Sequence, residues 1–531
     1  MRNAGKPAFE NCRLIDPRKQ SKLGQMKTGL STLLLSSFLF AGGTGQLRSE
    51  NTAATGVGPT LPSLVSEKCS GCHPPPQPET MPRYAWEPTI RAMLKFMARA
   101  RVPITDTQLQ GIAAFYTGNS PERLAQLPDN FADSLLKFKK IRVGNPPSHE
   151  RPQVTSVKFT DLDGDGRKDD IVVTDNNSSE VSWLRKEGEK WTETKIGEAP
   201  APVNSTPFDF DGDGDVDLAI SAMGYMHPND KLIGEFHLMI NQGGGKFDQH
   251  LLVQGVPRIT DCAPADFDGD GDMDFILAMF GWRETGGVGY LEQVAPMKFK
   301  LRTILAVNGC MRVIVNDADH NGRPDFVALI TQQHEAILQF TNQGGASFTN
   351  GIIARANYPS FGSSSIYLVD LDQDGDEDIL YTNGDMMDDN PVPKPYHGLR
   401  WLENIPGGQY QLHYLAGMPG CYCAKPADMD GDGDLDVVFS ALYFQWDQHD
   451  FPSLAWLENL SGDFKKFTAR RISYAPSNLA NIAIGDANGD EILDIIGGGM
   501  HVPGPLERVG RLTLWLGQGE KNRPAPKRDG E

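Results

Sequence analysis

Seven short acidic clusters, nearly identical and spread from residue 161 to residue 494, constrain the fold of this 531-residue chain more than any other feature. The first places carboxylates at Asp161, Asp163, Asp165 and Asp169, the second at Asp209, Asp211, Asp213 and Asp217, and the third at Asp266, Asp268, Asp270 and Asp274. The fourth carries Asp317, Asp319, Asn321 and Asp325, and the fifth Asp370, Asp372, Asp374 and Asp378. Asp428, Asp430, Asp432 and Asp436 make the sixth, and Asp486, Asn488, Asp490 and Asp494 the seventh. Successive clusters begin 48 to 58 residues apart. A period of that length signals a solenoid, a propeller or an array of repeats.

Within a cluster, side chains at positions 1, 3 and 5 converge on one hard cation, glycine at position 6 permits a sharp turn, and position 7 offers a carbonyl. An EF-hand would keep a bidentate glutamate at position 12, where the first three clusters hold Val172, Ile220 and Leu277. Position 9 is instead always aspartate, so these are not EF-hands. Simple Asp-Gly turns do not need four converging carboxylates, which without a cation would repel one another. The pattern points to Ca2+, up to seven ions, enough to offset most of the net charge of −19. That acidity also argues against a nucleic-acid partner, which requires a basic footprint. The fourth cluster departs from the pattern at Asn321. The seventh departs at Asn488 and puts Glu491 where glycine is usual, so it is expected to be the weakest.

Each cluster lies between strands. Residues 313–316 are a short apolar run before the fourth, and residues 171–173 and 437–439 follow the first and sixth. A third, tryptophan-bearing run recurs at 181–184, 399–402, 454–457 and 512–516, and glycine turns lead to a fourth at 247–253 or 299–305. Four strands in about 50 residues is the unit of a propeller blade. On these motifs, residues 135–518 resemble the FG-GAP/VCBS family. The resemblance implies a seven-bladed β-propeller whose calcium loops join the first two strands of each blade. No fourth strand follows residue 516, yet residues 137–144 match 298–305. Residues 135–144 are therefore expected to complete blade 7, joining both ends of the chain and hiding a strand edge. Residues 519–531 read as a polar tail.

The amino terminus has a different character. Lys27, the apolar run 30–40 and the small residues after it have the order of a secretory signal, and the run is shorter than the roughly 20 residues of a bilayer span. Residues 1–45 are read as an over-extended start plus that signal, with no membrane span left after its removal. Cys69, Cys72 and His73 have the spacing of covalent haem c attachment, in which two thiols bond the porphyrin and the adjacent imidazole becomes the proximal iron ligand. A zinc site would want a second Cys or His pair nearby, and none precedes Cys262. Helices are expected over 62–68, 86–100 and 108–116, the last with Ile112, Phe115 and Tyr116 on its apolar side. Residues 55–125 resemble a small class I cytochrome c domain, which implies a methionine as sixth ligand: Met93, ahead of Met97 and Met81. Residues 117–134 read as a linker.

The expected fold is thus all-β, a seven-bladed β-propeller with a small N-terminal α-helical cytochrome c domain. Strand parity puts the calcium loops on one face. Cys262, Cys310, Cys421 and Cys423 fall at strand starts on the other, with His227, His397, His449, His501, Trp282, Tyr396, Tyr443 and Trp446 in its loops. Two disulfides or one metal site are the choices for these thiols. A Cys262–Cys310 bond would join neighbouring innermost strands, and Cys421 and Cys423, which should point the same way, would then form a strained disulfide or a soft-metal site. No P-loop, dinucleotide fingerprint or Ser-His-Asp pattern occurs. The reading that follows is an exported, periplasmic or extracellular, electron-transfer cytochrome whose propeller docks a redox partner protein or a small-molecule substrate. An oxidoreductase with its active site opposite the calcium loops is the alternative, and an adhesion or glycan-binding propeller a further one.

Overall fold

The computed structural model describes residues 62–71, 73–147, 151–357, 359–386, 392–442, 451–501 and 510–519, all within one compact unit. The signal segment, Cys72, Tyr443, Trp446, His449 and residues 520–531 lie outside the described residues.

Among the described residues the strands form seven sheets, each an antiparallel four-stranded blade, one of them carrying a fifth strand at its edge. Blade 1 comprises Val154–Thr160, Asp170–Asp175, Glu180–Glu187 and Lys190–Glu198. Blades 2 to 7 start with the innermost strands Pro202–Phe208, Ile259–Ala265, Cys310–Asn316, Ser363–Val369, Cys421–Ala427 and Leu479–Gly485. The second strand of every blade is buried along its whole length. Both of its faces are covered by neighbouring blades, which is why these segments read as continuous apolar runs and not as alternating ones. The core accordingly lies in the seams: Ala219 and Phe236 of blade 2, for example, pack against Phe275 of blade 3.

The ring closes where expected. Lys137–Arg142 pairs antiparallel with Leu512–Gln518 as the outermost strand of blade 7, and the innermost strands of blades 7 and 1 are in contact. One feature no side-chain pattern announced is a bulge one residue into every innermost strand, at Thr155, Val203, Thr260, Met311, Ser364, Tyr422 and Ala480. A bulge adds local twist and reverses which face each later side chain takes.

Three helices precede the propeller: α1 (Ser63–Cys69), α2 (Arg83–Arg99) and α3 (Asp106–Asn119). The expected positions hold, with α3 starting earlier because Thr105 and Gln108 form a capping box. Val65, Trp86, Ile112 and Tyr116 make their common core. This segment is docked on the propeller. Arg99 pairs with Glu284 at 2.6 Å, Tyr396 Oη donates to the Thr80 carbonyl at 3.2 Å, and Arg283 lies over the Phe96 ring.

The stretch read as a linker is docked as well. Gly118 belongs to α3, and Phe131 is buried against Phe439 and Phe451. Ala132–Asp133 then adds a parallel fifth strand to blade 6, and Asp129 pairs with Arg471 at 3.2 Å. No helix among the described residues is long and apolar enough to cross a membrane.

Candidate functional site

His73 lies just past the end of α1, and the proline-rich turn behind it is pinned by two aromatic residues. Tyr116 Oη donates to the Pro76 carbonyl at 3.1 Å and Trp86 Nε1 to the Pro78 carbonyl at 3.0 Å, while the two rings stack 4.1 Å apart. His73 Nδ1 bonds the Pro74 carbonyl at 2.9 Å. A carbonyl only accepts, so Nδ1 carries the proton and Nε2 keeps its lone pair. Burial lowers the His73 pKa and Arg355 of blade 4 lowers it further, against the Pro74 bond, which favours the neutral ligand form.

Cys69 packs at the rim of the helical core with Met81, Ile90 and Ile104, and burial raises its thiol pKa. Met81 packs on the same cluster as Cys69, whereas Met93 and Met97 lie on α2 outside it. Met97 lines a cleft with Leu94, Val102 and Ile104. The sequence did not foresee that His73 would sit near Arg355 and His334 of blade 4, since no local pattern reports docking.

All seven acidic loops share one backbone. Positions 4 and 6 are left-handed throughout, even where they are His320, Gln373 or Glu491, the last at φ 65°. Glycine is the residue that adopts this conformation without strain, so three side-chain-bearing residues held there mark a strongly specified turn. In every loop the position-6 N–H donates to the position-1 carboxylate at 2.7–3.1 Å. The position-7 N–H donates to the position-5 side chain at 2.9–3.1 Å. Oxygens of Asp161, Asp163 and Asp170, and likewise of Asp209, Asp211 and Asp213, come within 4.8 Å of one another, as do corresponding sets in later loops.

The last aspartate of each loop is a buried strut. Its Oδ2 accepts the position-2 N–H at 2.8–3.3 Å. In blades 2 to 7 its Oδ1 accepts an N–H of the third strand at 2.7–2.8 Å. In the first loop this residue is Asp170, not Asp169: Asp170 opens the second strand, takes the Leu162 N–H and binds Trp183 Nε1 at 2.7 Å. That loop is one residue longer, and the Asp169-Asp170 pair concealed the shift. Burial raises the pKa of these struts, to about 8 for Asp436 and about 7 for Asp494.

The propeller thiols depart from expectation. Cys262, Cys310, Cys421 and Cys423 are free and buried, each in a different hydrophobic cluster. Cys262 packs in the seam between blades 2 and 3, and Cys310 in the seam between blades 3 and 4. The bulge at Tyr422 turns Cys421 toward blade 5 and Cys423 toward blade 7, so they do not point the same way. Of the histidines, His397 is fully buried, and its Nδ1 accepts the Gly420 N–H at 3.4 Å.

The architecture is that of a seven-bladed β-propeller with an acidic loop in each blade. The FG-GAP-like repeat model matches residues 161–220, 317–381 and 428–497. These stretches begin at the first, fourth and sixth acidic loops, and the chain carries FG-GAP repeats. No curated protein matches the chain.

Proposed function

We propose that this protein is an exported c-type cytochrome, an electron-transfer protein whose calcium-stabilised propeller docks a redox partner or presents a substrate. Cys69 and Cys72 would hold the haem covalently, His73 Nε2 would ligate its iron and Met93 would supply the sixth ligand. The group supplies a one-electron carrier. The observation that carries the reading is the His73 Nδ1 bond to the Pro74 carbonyl, since a ligating histidine is oriented by this kind of bond from its other ring nitrogen. The loop carboxylates would each hold Ca2+ through oxygens of positions 1, 3 and 5, with the buried strut behind them.

Replacing Cys69 and Cys72 by Ala is expected to leave a folded but colourless protein. A normal c-type spectrum in that double variant contradicts the assignment. Met93→Ala is expected to abolish the methionine–iron charge-transfer band while leaving the haem attached. Persistence of the band would transfer the ligand role to Met81 or Met97.

The oxidoreductase alternative draws support from the docking of the helical segment on blades 3 and 5 through Glu284 and Tyr396, on the face opposite the acidic loops. Reduction of the haem by a small substrate with no partner present would favour it.

A further inference from the structure

The innermost strands bring charged residues from several blades to the channel axis. Lys158 of blade 1 feels the fields of Asp261, Arg312 and Cys423, which belong to blades 3, 4 and 6. Lys425 of blade 6 feels Cys423, Lys158, Arg312 and Asp261. Only a position on the axis meets so many blades at once. The Lys425 ammonium stands 4.4 Å from the centre of the Tyr367 ring, and that tyrosine is 36% exposed, so water reaches this level of the channel. At one end Met386, Leu442, Ala480 and Met500 close into an apolar cluster with Met226 and Tyr422.

The charges do not balance. Asp261 accepts from Asn204 Nδ2 at 2.6 Å and from the N–H groups of Cys262 at 3.0 Å and Val313 at 3.2 Å, with Arg312 at 3.8 Å, and burial raises its pKa against these partners. It is the one carboxylate acting on both lysines, against the three cations Lys158, Arg312 and Lys425. Neither lysine ammonium has a hydrogen bond or ion pair with the protein among the described residues. Ammonium groups without a protein partner leave their N–H donors free for water or an anion.

We propose that the central channel binds a small dianionic oxyanion, of the sulfate or phosphate type, between Lys158, Lys425 and Arg312. Three N–H-bearing side chains suit the several acceptor oxygens of such an anion. Burial lowers both lysines, Lys425 to about 8, against the opposing field of Asp261.

The test is calorimetric titration of sulfate into the full-length calcium-loaded protein, with chloride holding the ionic strength constant. One site is expected, with acetate binding far more weakly. Lys425→Met and Lys158→Met should each weaken it about tenfold or more, the loss of one charge-assisted hydrogen bond, while Lys425→Arg retains it. Sulfate should also raise the melting temperature of the wild type more than that of Lys425→Met, which separates binding from general salt stabilisation. Absence of sulfate binding by the wild type overturns the proposal without recourse to any variant. So does acetate binding as tight as sulfate, or undiminished sulfate affinity in both Met variants.

Discussion

Replacing Arg511 by Met is expected to cost about 3–5 kcal/mol of folding stability, the range for leaving a buried charge unpaired. Arg511 stands just before the third strand of blade 7 and reaches across the closing seam to blade 1. Its Nη1 and Nη2 donate to the two oxygens of Glu193 at 2.7 and 2.9 Å, and its Nε donates to Asp175 at 3.0 Å. The side chains of Arg511, Glu193 and Asp175 are only 7%, 1% and 4% exposed, so solvent cannot replace the lost guanidinium. Glu193 also takes the Asn145 N–H at 2.7 Å, tying the closing segment to the same carboxylate.

Burial alone would raise the Glu193 pKa, but Arg511 outweighs it and holds the carboxyl below its usual value. A depressed folded-state pKa contributes stability above the unfolded value, and that contribution is lost as pH falls through the folded one. Arg511→Met should therefore also unfold at a higher pH on acidification. Urea unfolding with an unchanged slope measures the loss. A change below about 1 kcal/mol would show that the seam does not depend on this triad.

Calcium removal is the second large effect. At least five of the loops hold carboxylates whose oxygens lie within 4.8 Å of one another, and an ion that binds only the folded state stabilises it by about 2.7 kcal/mol per site at a hundredfold excess over its Kd. Several such sites on one ring make the expected fall in melting temperature on chelation many degrees. The seventh site should empty first. Its backbone matches the others, with Glu491 left-handed at φ 65°, but Asn488 removes one negative charge from the set. An unchanged melting curve, with the metal content shown to be nil, contradicts a structural role for calcium.

Much of the propeller was legible because each blade repeats a pattern with a direct physical cause. The acidic loops announced seven blades, and the resemblance of residues 137–144 to 298–305 announced the closing strand. What escaped notice were single-residue steps of the backbone. The bulge at Tyr422 has no composition signature, yet it reversed the alternation that made Cys421 and Cys423 seem to share a face. Asp169 and Asp170 are chemically identical neighbours, and only the strand register separates them. Docking was likewise invisible: residues 117–134 have the Gly and Pro content of a free linker, and the burial of Phe131 against blade 6 turns them into a strap. The channel charges were not legible because Lys158, Asp261, Arg312 and Lys425 are far apart in sequence and meet only once the ring closes.

The central claim is that the segment ending in His73 carries a covalently bound electron carrier. Mass spectrometry of the protein produced with a c-type maturation system, followed by proteolysis, tests this most directly. The account predicts the intact chain plus one haem, with the added mass on the peptide that contains Cys69 and Cys72. Recovery of that peptide unmodified, with both thiols free, would contradict it.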